Sequence, residues 1–200
     1  MIPKIEFRYS DVYDRNYRES KSIQNYLKKR KEKYPSRKEI IRYMKKGEIL
    51  WRKFEKKILT EISRITRLKW KERRIICYIV GVGRPFSEPL TIRTYGKLWD
   101  RFIDVLTHEL IHNIFNENDG KYMKWYNYVF KKYSKELRAT KTHIALCAVH
   151  WKLLLKLFDE ERLKKEIKRY RKDLDYKRAW EIVEEENPDV ILNKFYKLTK

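Results

Sequence analysis

His108-Glu109-Leu110-Ile111-His112 is the stretch of this chain with the clearest chemistry. On a helix, four-residue spacing stacks two imidazoles one turn apart on one face, where both can bind the same zinc ion. Glu109 is offset from that ligand row by one residue. It falls beside the metal, in reach of a water bound there, and is therefore the expected general base. With four His and 19 Glu in 200 residues, random order would give such a string with an expectation of about 0.007, so chance is a poor explanation. The plain alternative is a set of polar residues on the wet side of an amphipathic helix.

A catalytic zinc takes three protein ligands and keeps one position open for water. Only two other histidines exist, His143 and His150, with Cys147 between them. At 3.6 residues per turn these three project within about 40° of one another from a helix that is otherwise apolar. His143, near the start of that helix, is the favoured third ligand. His150, Cys147 and the carboxylate of Glu136 stay open as alternatives, Cys147 having the ordinary role of a small buried hydrophobe as its rival reading. His150 is also a candidate donor to the oxyanion formed in peptide hydrolysis, so Glu109 and His150 are the expected catalytic residues, and Tyr126 or Tyr133 are further candidates for that donation.

The elements that must position these groups are legible from periodicity. Ile75–Val80 is a short β-branched run ended by Gly81, and Leu90–Tyr95 alternates before Gly96, which predicts two strands. A helix is predicted over Lys97–Phe115, with Trp99, Phe102, Ile103, Leu106, Leu110 and Ile114 facing a core, closed by the turn-rich Asn116–Gly120. Further helices are predicted over Tyr122–Leu137, Thr142–Phe158 and beyond Asp159, with Pro188 breaking the last. Upstream, the apolar positions from Ile40 to Leu68 keep helical spacing after Pro35-Ser36, with Gly47 as the expected break. The fold class expected is α+β, mostly helical, with a short sheet beside the His-bearing helix. The organisation expected is a basic helical region over 1–70, a core over 71–158 and a charged helical extension over 159–200, together one domain.

On these residues the chain resembles the zincin metallopeptidases over about 72–158. That resemblance implies His108 and His112 as ligands, Glu109 as general base and acid, and Ile75–Val80 or Leu90–Tyr95 as an edge strand that pairs with an extended peptide. Small archaeal zincins of the minigluzincin and SprT-like kinds are the most similar groups. The gluzincin branch uses a Glu as third ligand, which implies Glu136. In the SprT-like branch, whose members are nucleic-acid-associated proteases, a third His follows a turn after the active helix. Asn118–Trp125 is similar to that turn and the aromatic helix behind it, with Lys121 at the ligand position.

Composition adds a second theme. Fifty Lys and Arg against 28 Asp and Glu leave a formal charge of +22, which calls for an acidic neighbour. The excess lies at the front: residues 1–70 hold 22 basic and 9 acidic side chains, residues 159–200 hold 12 and 11. Lys28–Lys33, Arg37-Lys38, Lys45-Lys46, Arg52-Lys53 and Lys56-Lys57 interleave with Tyr26, Tyr34, Tyr43 and Trp51, a pattern suited to phosphate contacts and base stacking. A solvated Lys-rich helix surface is the plain alternative. A nucleic-acid-binding protein with a closed structural zinc is the rival to a protease, and coordination number separates the two. The charged, Gln-poor composition matches proteins of hyperthermophiles. Glu6 and Arg8 interrupt any apolar leader, and Cys77 and Cys147 form no disulfide framework, so a cytoplasmic protein without a membrane span is expected.

Overall fold

The computed structural model describes residues 1–94 and 101–200, apart from the side chains of Leu174 and Asp175. Within them the chain is α+β and mostly helical, with ten helices and four strands. It divides into two units, one of residues 1–56 and 72–113, the other of residues 57–71 and 114–200.

The first unit is built on a four-stranded sheet of order β1-β2-β4-β3, from β1 (Lys4–Arg8), β2 (Arg74–Val80), β3 (Phe86–Ser87) and β4 (Leu90–Arg93). The first three in that order are parallel, and β3 closes the sheet as an antiparallel edge. Because side chains alternate along a strand, the sheet has two distinct faces. Tyr78 packs toward α1 (Asp11–Arg18), its ring 5.0 Å from that of Tyr13. Phe7, the register partner of Cys77, faces the other way and meets Phe102 at 6.0 Å. Phe102 opens α5 (Phe102–Glu117) and also touches α3 (Arg37–Arg52), where its ring lies against Gly47. A Cβ on Gly47 would come within 2.7 Å of that ring, so this glycine permits close packing inside a continuous helix and does not break it. The interruption falls instead at Lys53-Phe54, before α4 (Glu55–Thr66). The helix α3 begins as expected at Ser36, whose hydroxyl and Glu39 form a reciprocal capping box.

The same unit contains α2 (Lys21–Arg30) and a buried polar anchor at Asp14. Asp14 has no exposed surface, and its carboxylate accepts from the Tyr34 hydroxyl at 2.6 Å, Arg18 at 2.8 Å and the Gly81 amide at 2.9 Å. This network ties α1 to the end of β2. The first residues of the chain thus belong to a sheet, although the reading of 1–70 as helical contains no strand there. Lys4-Ile-Glu-Phe-Arg8 is too short, and too rich in charge, for its period of two to stand out.

The second unit is helical, with α6 (Asp119–Lys132), α7 (Arg138–Leu157), α8 (Glu160–Tyr170), α9 (Leu174–Glu186) and α10 (Pro188–Leu198). Helix α7 packs against each of the other four, which explains its uniform apolarity: every residue from His143 to His150 is buried. Asp159 caps α8 and Pro188 occupies the first turn of α10, where its missing N–H is harmless. The helix expected over Tyr122–Leu137, with Tyr122, Tyr126, Val129, Phe130, Tyr133 and Leu137 as its buried stripe, is corrected at two positions, since Trp125 is buried while Leu137 is 64% exposed beyond the end of the helix. Helix α5 belongs to both units, its residues through Asn113 to the first and from Ile114 to the second.

Tyr95 at the end of the second expected strand, and Lys97 and Trp99 at the start of the His-bearing helix, lie outside the described residues. Among the described residues no helix is long and apolar enough to cross a membrane.

Candidate metal centre

Helix α5 is buried at every residue from Phe102 to Ile111. The wet-face explanation of its polar residues therefore does not hold: His108 is 5% exposed and Glu109 8%. His112, one turn on, is half-buried, and its ring centroid lies 5.2 Å from that of His108. Placing such groups in an apolar helix is costly unless they are used or paired. Burial pushes the Glu109 carboxyl up to about 8 from its ordinary 4.5. The nearby Cys77 thiol is also pushed up, by burial first and by Glu109 second.

One ring nitrogen from each of His108, His112 and His143 lies within 4.8 Å of the others. Three imidazoles at that spacing are close enough to bind one metal ion. In a tetrahedral zinc site with bonds of about 2.0–2.1 Å, ligand nitrogens stand roughly 3.3 Å apart. His143 is already oriented. Its Nδ1 lies 2.7 Å from the Ala139 carbonyl oxygen, one turn back on α7. A carbonyl only accepts, so the proton sits on Nδ1 and the lone pair is on Nε2. A backbone carbonyl that fixes the tautomer of a histidine is the usual support for a metal ligand. The ring edge of Tyr176 packs against it at 4.6 Å.

The other candidates are placed elsewhere. Glu136 accepts from Arg178 Nε at 3.1 Å and is outside the histidine group. Cys147 is fully buried, and burial raises its thiol well above the ordinary range. Both cysteines are free. His150 is fully buried two turns beyond His143, about 10 Å along the helix axis, with its ring 6.2 Å from that of Trp180.

The structure corrects the edge strand. Neither β2 nor β4 is an edge, since each has a neighbour on both sides, as their near-continuous apolar runs require. The edges are β1 and β3. Asn113, next to His112, donates through Nδ2 to the carbonyl oxygen of Ser87 on β3 at 2.7 Å. Reading the sequence missed both Asn113 and β3. A strand of two residues is too short to show alternation, and the flanking Pro85 and Pro89 are the only signal of an edge there.

The basic front is also redistributed. Lys28, Lys29, Arg30, Lys31 and Lys33 are exposed, yet Trp51 and Tyr43 are core residues, and Tyr34 is half-buried on Asp14. Of the four rings, Tyr26 is the exposed one, at 42%. Arg52 is engaged with Glu48 and Glu55 at 2.7 and 2.6 Å.

No family model, curated protein or solved structure matches the chain.

Proposed function

We propose that this chain is a zinc-dependent peptidase. The observation that supports the reading best is the grouping of His108, His112 and His143 with the buried Glu109 next to His108. Among the described residues the group holds three donors, the number that leaves a coordination position for water, whereas a structural zinc closes with four. Bound by these residues, zinc would lower the pKa of a water toward about 7 and polarise a scissile carbonyl.

Burial favours the neutral carboxyl in the metal-free protein, whereas a zinc ion beside it would favour the carboxylate, and in that form Glu109 would take the proton of the attacking water as the water oxygen adds to the carbonyl carbon. It returns that proton to the nitrogen as the C–N bond breaks, so it acts as base and then as acid. Its apolar surroundings favour holding the proton between the two steps. An extended substrate would add to the edge strand β3, which Asn113 anchors to the His-bearing helix.

The test is metal analysis followed by digestion of fluorescein-labelled casein and a library of internally quenched peptides. Zinc-loaded wild type should cleave. Glu109→Gln should keep zinc while turnover falls by about 10²–10⁴-fold, the range for loss of a general base. Equal turnover in the Gln variant, or no cleavage by the loaded wild type, refutes the proposal.

A further inference from the structure

The first unit carries a cavity of about 800 Å³, lined in part by Tyr13, Tyr17, Tyr26, Phe86, Arg84 and Arg93. That volume is in the range of small-molecule sites, about 300–1,000 Å³. The cavity is separate from the metal centre. Tyr13 contacts Tyr78 and its hydroxyl meets Thr91 Oγ1 at 3.0 Å. Tyr78 and Thr91 are register partners and share one sheet face, while Cys77 and its neighbour Glu109 are on the other.

The lining has a definite chemistry. No Asp or Glu stands among the described residues that form it, and Asn16, Ser20 and Ser22 contribute neutral polar groups. Arg93 is half-buried. Its Nη1 donates to the Gly83 carbonyl at 3.1 Å, while its Nε is buried without a hydrogen-bond partner. Burial above all, with the adjacent guanidiniums of Arg101 and Arg84 adding to it, holds Arg93 below the usual arginine range, and the hydroxyls of Tyr26 and Tyr43 act the other way. A guanidinium drawn out of water, with donor capacity unused, at a cavity that no carboxylate lines among the described residues, is suited to an anion from outside.

The walls call for a flat ring. A Cβ on Gly83 would come within 2.9 Å of the Tyr17 ring, so the glycine lets that ring lie directly on the backbone beside Arg84. Tyr26 presents an exposed face near the mouth, with the Arg30 guanidinium 5.5 Å from its centroid. Guanidiniums beside aromatic platforms are the recognition set for a phosphate attached to a base. An acidic peptide would use the arginines and leave the tyrosine platforms without a stacking partner. We propose that this cavity binds a nucleoside phosphate, free or as one residue of a single strand, with its phosphate on Arg93 and Arg84 and its base against Tyr17 and Tyr26.

The experiment titrates the full-length protein with AMP, adenosine and ribose 5-phosphate by calorimetry, and with a fluorescein-labelled 15-mer of thymidine by anisotropy. AMP should bind at least about tenfold more tightly than either fragment, because phosphate and base contacts add. Tyr26→Ala and Arg93→Gln should each weaken AMP about tenfold or more. Tyr26 is exposed and its variant folds without repacking a core, so it serves as the check if Arg93→Gln unfolds. Glu109→Gln should leave AMP binding unchanged, which separates this site from the peptidase reading. Binding of the 15-mer that responds to the same two substitutions, with weak AMP binding, assigns the site to single strands. The proposal is overturned if AMP does not bind and the 15-mer is indifferent to Tyr26→Ala and Arg93→Gln, or if a tetra-aspartate peptide binds better than AMP.

Discussion

Replacing Glu109 by Gln should make the metal-free protein more stable, by an amount that depends on pH in a specified way. The carboxyl is 8% exposed and burial pushes it up to about 8, against 4.5 for the same group in water. Below pH 4.5 it is protonated in both folded and unfolded chains and exerts no differential effect. As pH rises, the unfolded chain releases this proton while the folded chain keeps it, so folding stability falls by about 1.36 kcal/mol per pH unit until about pH 8. At pH 7 some 2.5 units of that interval have passed, which corresponds to about 3 kcal/mol. Glutamine has similar shape and no proton to release, so it removes this loss. For a chain of this size about 3 kcal/mol is roughly 6–12 °C in Tm. The assay is thermal unfolding by circular dichroism after dialysis against a chelator, at pH 4, 5.5 and 7. The variant should gain little at pH 4, and progressively more at the two higher values. A gain that does not vary with pH, or a Gln variant no more stable at pH 7 than wild type, refutes the assignment of Glu109 as a carboxyl held neutral by burial.

Three further outcomes follow from the geometry. His143→Ala should weaken zinc binding by more than the ~10–100-fold typical of lost supporting contacts, while Cys147→Ala and Glu136→Gln leave it unchanged, as measured by competition with a chromophoric chelator. Asp14→Ala removes the acceptor of Tyr34, Arg18 and the Gly81 amide and should lower stability by about 3–5 kcal/mol, read by urea unfolding. Gly47→Ala should destabilise by about 1–3 kcal/mol through crowding of the buried Phe102 ring, although alanine is the better helix former by about 1 kcal/mol. A stabilised Gly47→Ala variant would show that the ring yields.

The arrangement at α5 explains why these perturbations point in different directions. Asp14 and Gly47 serve the fold, so changing them lowers stability. Glu109, the base of the proposed reaction, is held where its charged form is unfavourable, so removing its charge should raise stability. A group that stabilises when deleted is a mark of a functional position, and it can be measured without knowing the substrate.

Helix periodicity carried most of the architecture. The strands at 74–80 and 90–93 and the helices from α3 to α8 were visible because each has a long apolar stripe or a β-branched run bounded by glycine. Gly47 misled, since a glycine required for close approach and one that ends a helix look the same in one dimension. Likewise Tyr43 and Trp51 stand among lysines in the chain but turn inward, because each residue on a helix is turned about 100° from the one before it, so neighbours in the chain can face core and solvent. Strands β1 and β3 were invisible, being too short to show a period.

The sequence by itself determined the spacing of His108 and His112 on one helix with Glu109 between them, because spacing within one helix is a local property, and it offered His143 as one candidate among several. Which of four later residues would approach that pair was a matter of tertiary structure. His143, His150 and Cys147 share a face of α7 and differ only in height along it, and height is set by how helices pack rather than by period. The depth of Glu109, which raises its proton affinity, and the cavity where Arg93 meets Tyr17 and Tyr26 were decided in the same way. Burial and convergence arise from residues far apart in the chain, and no local pattern encodes them.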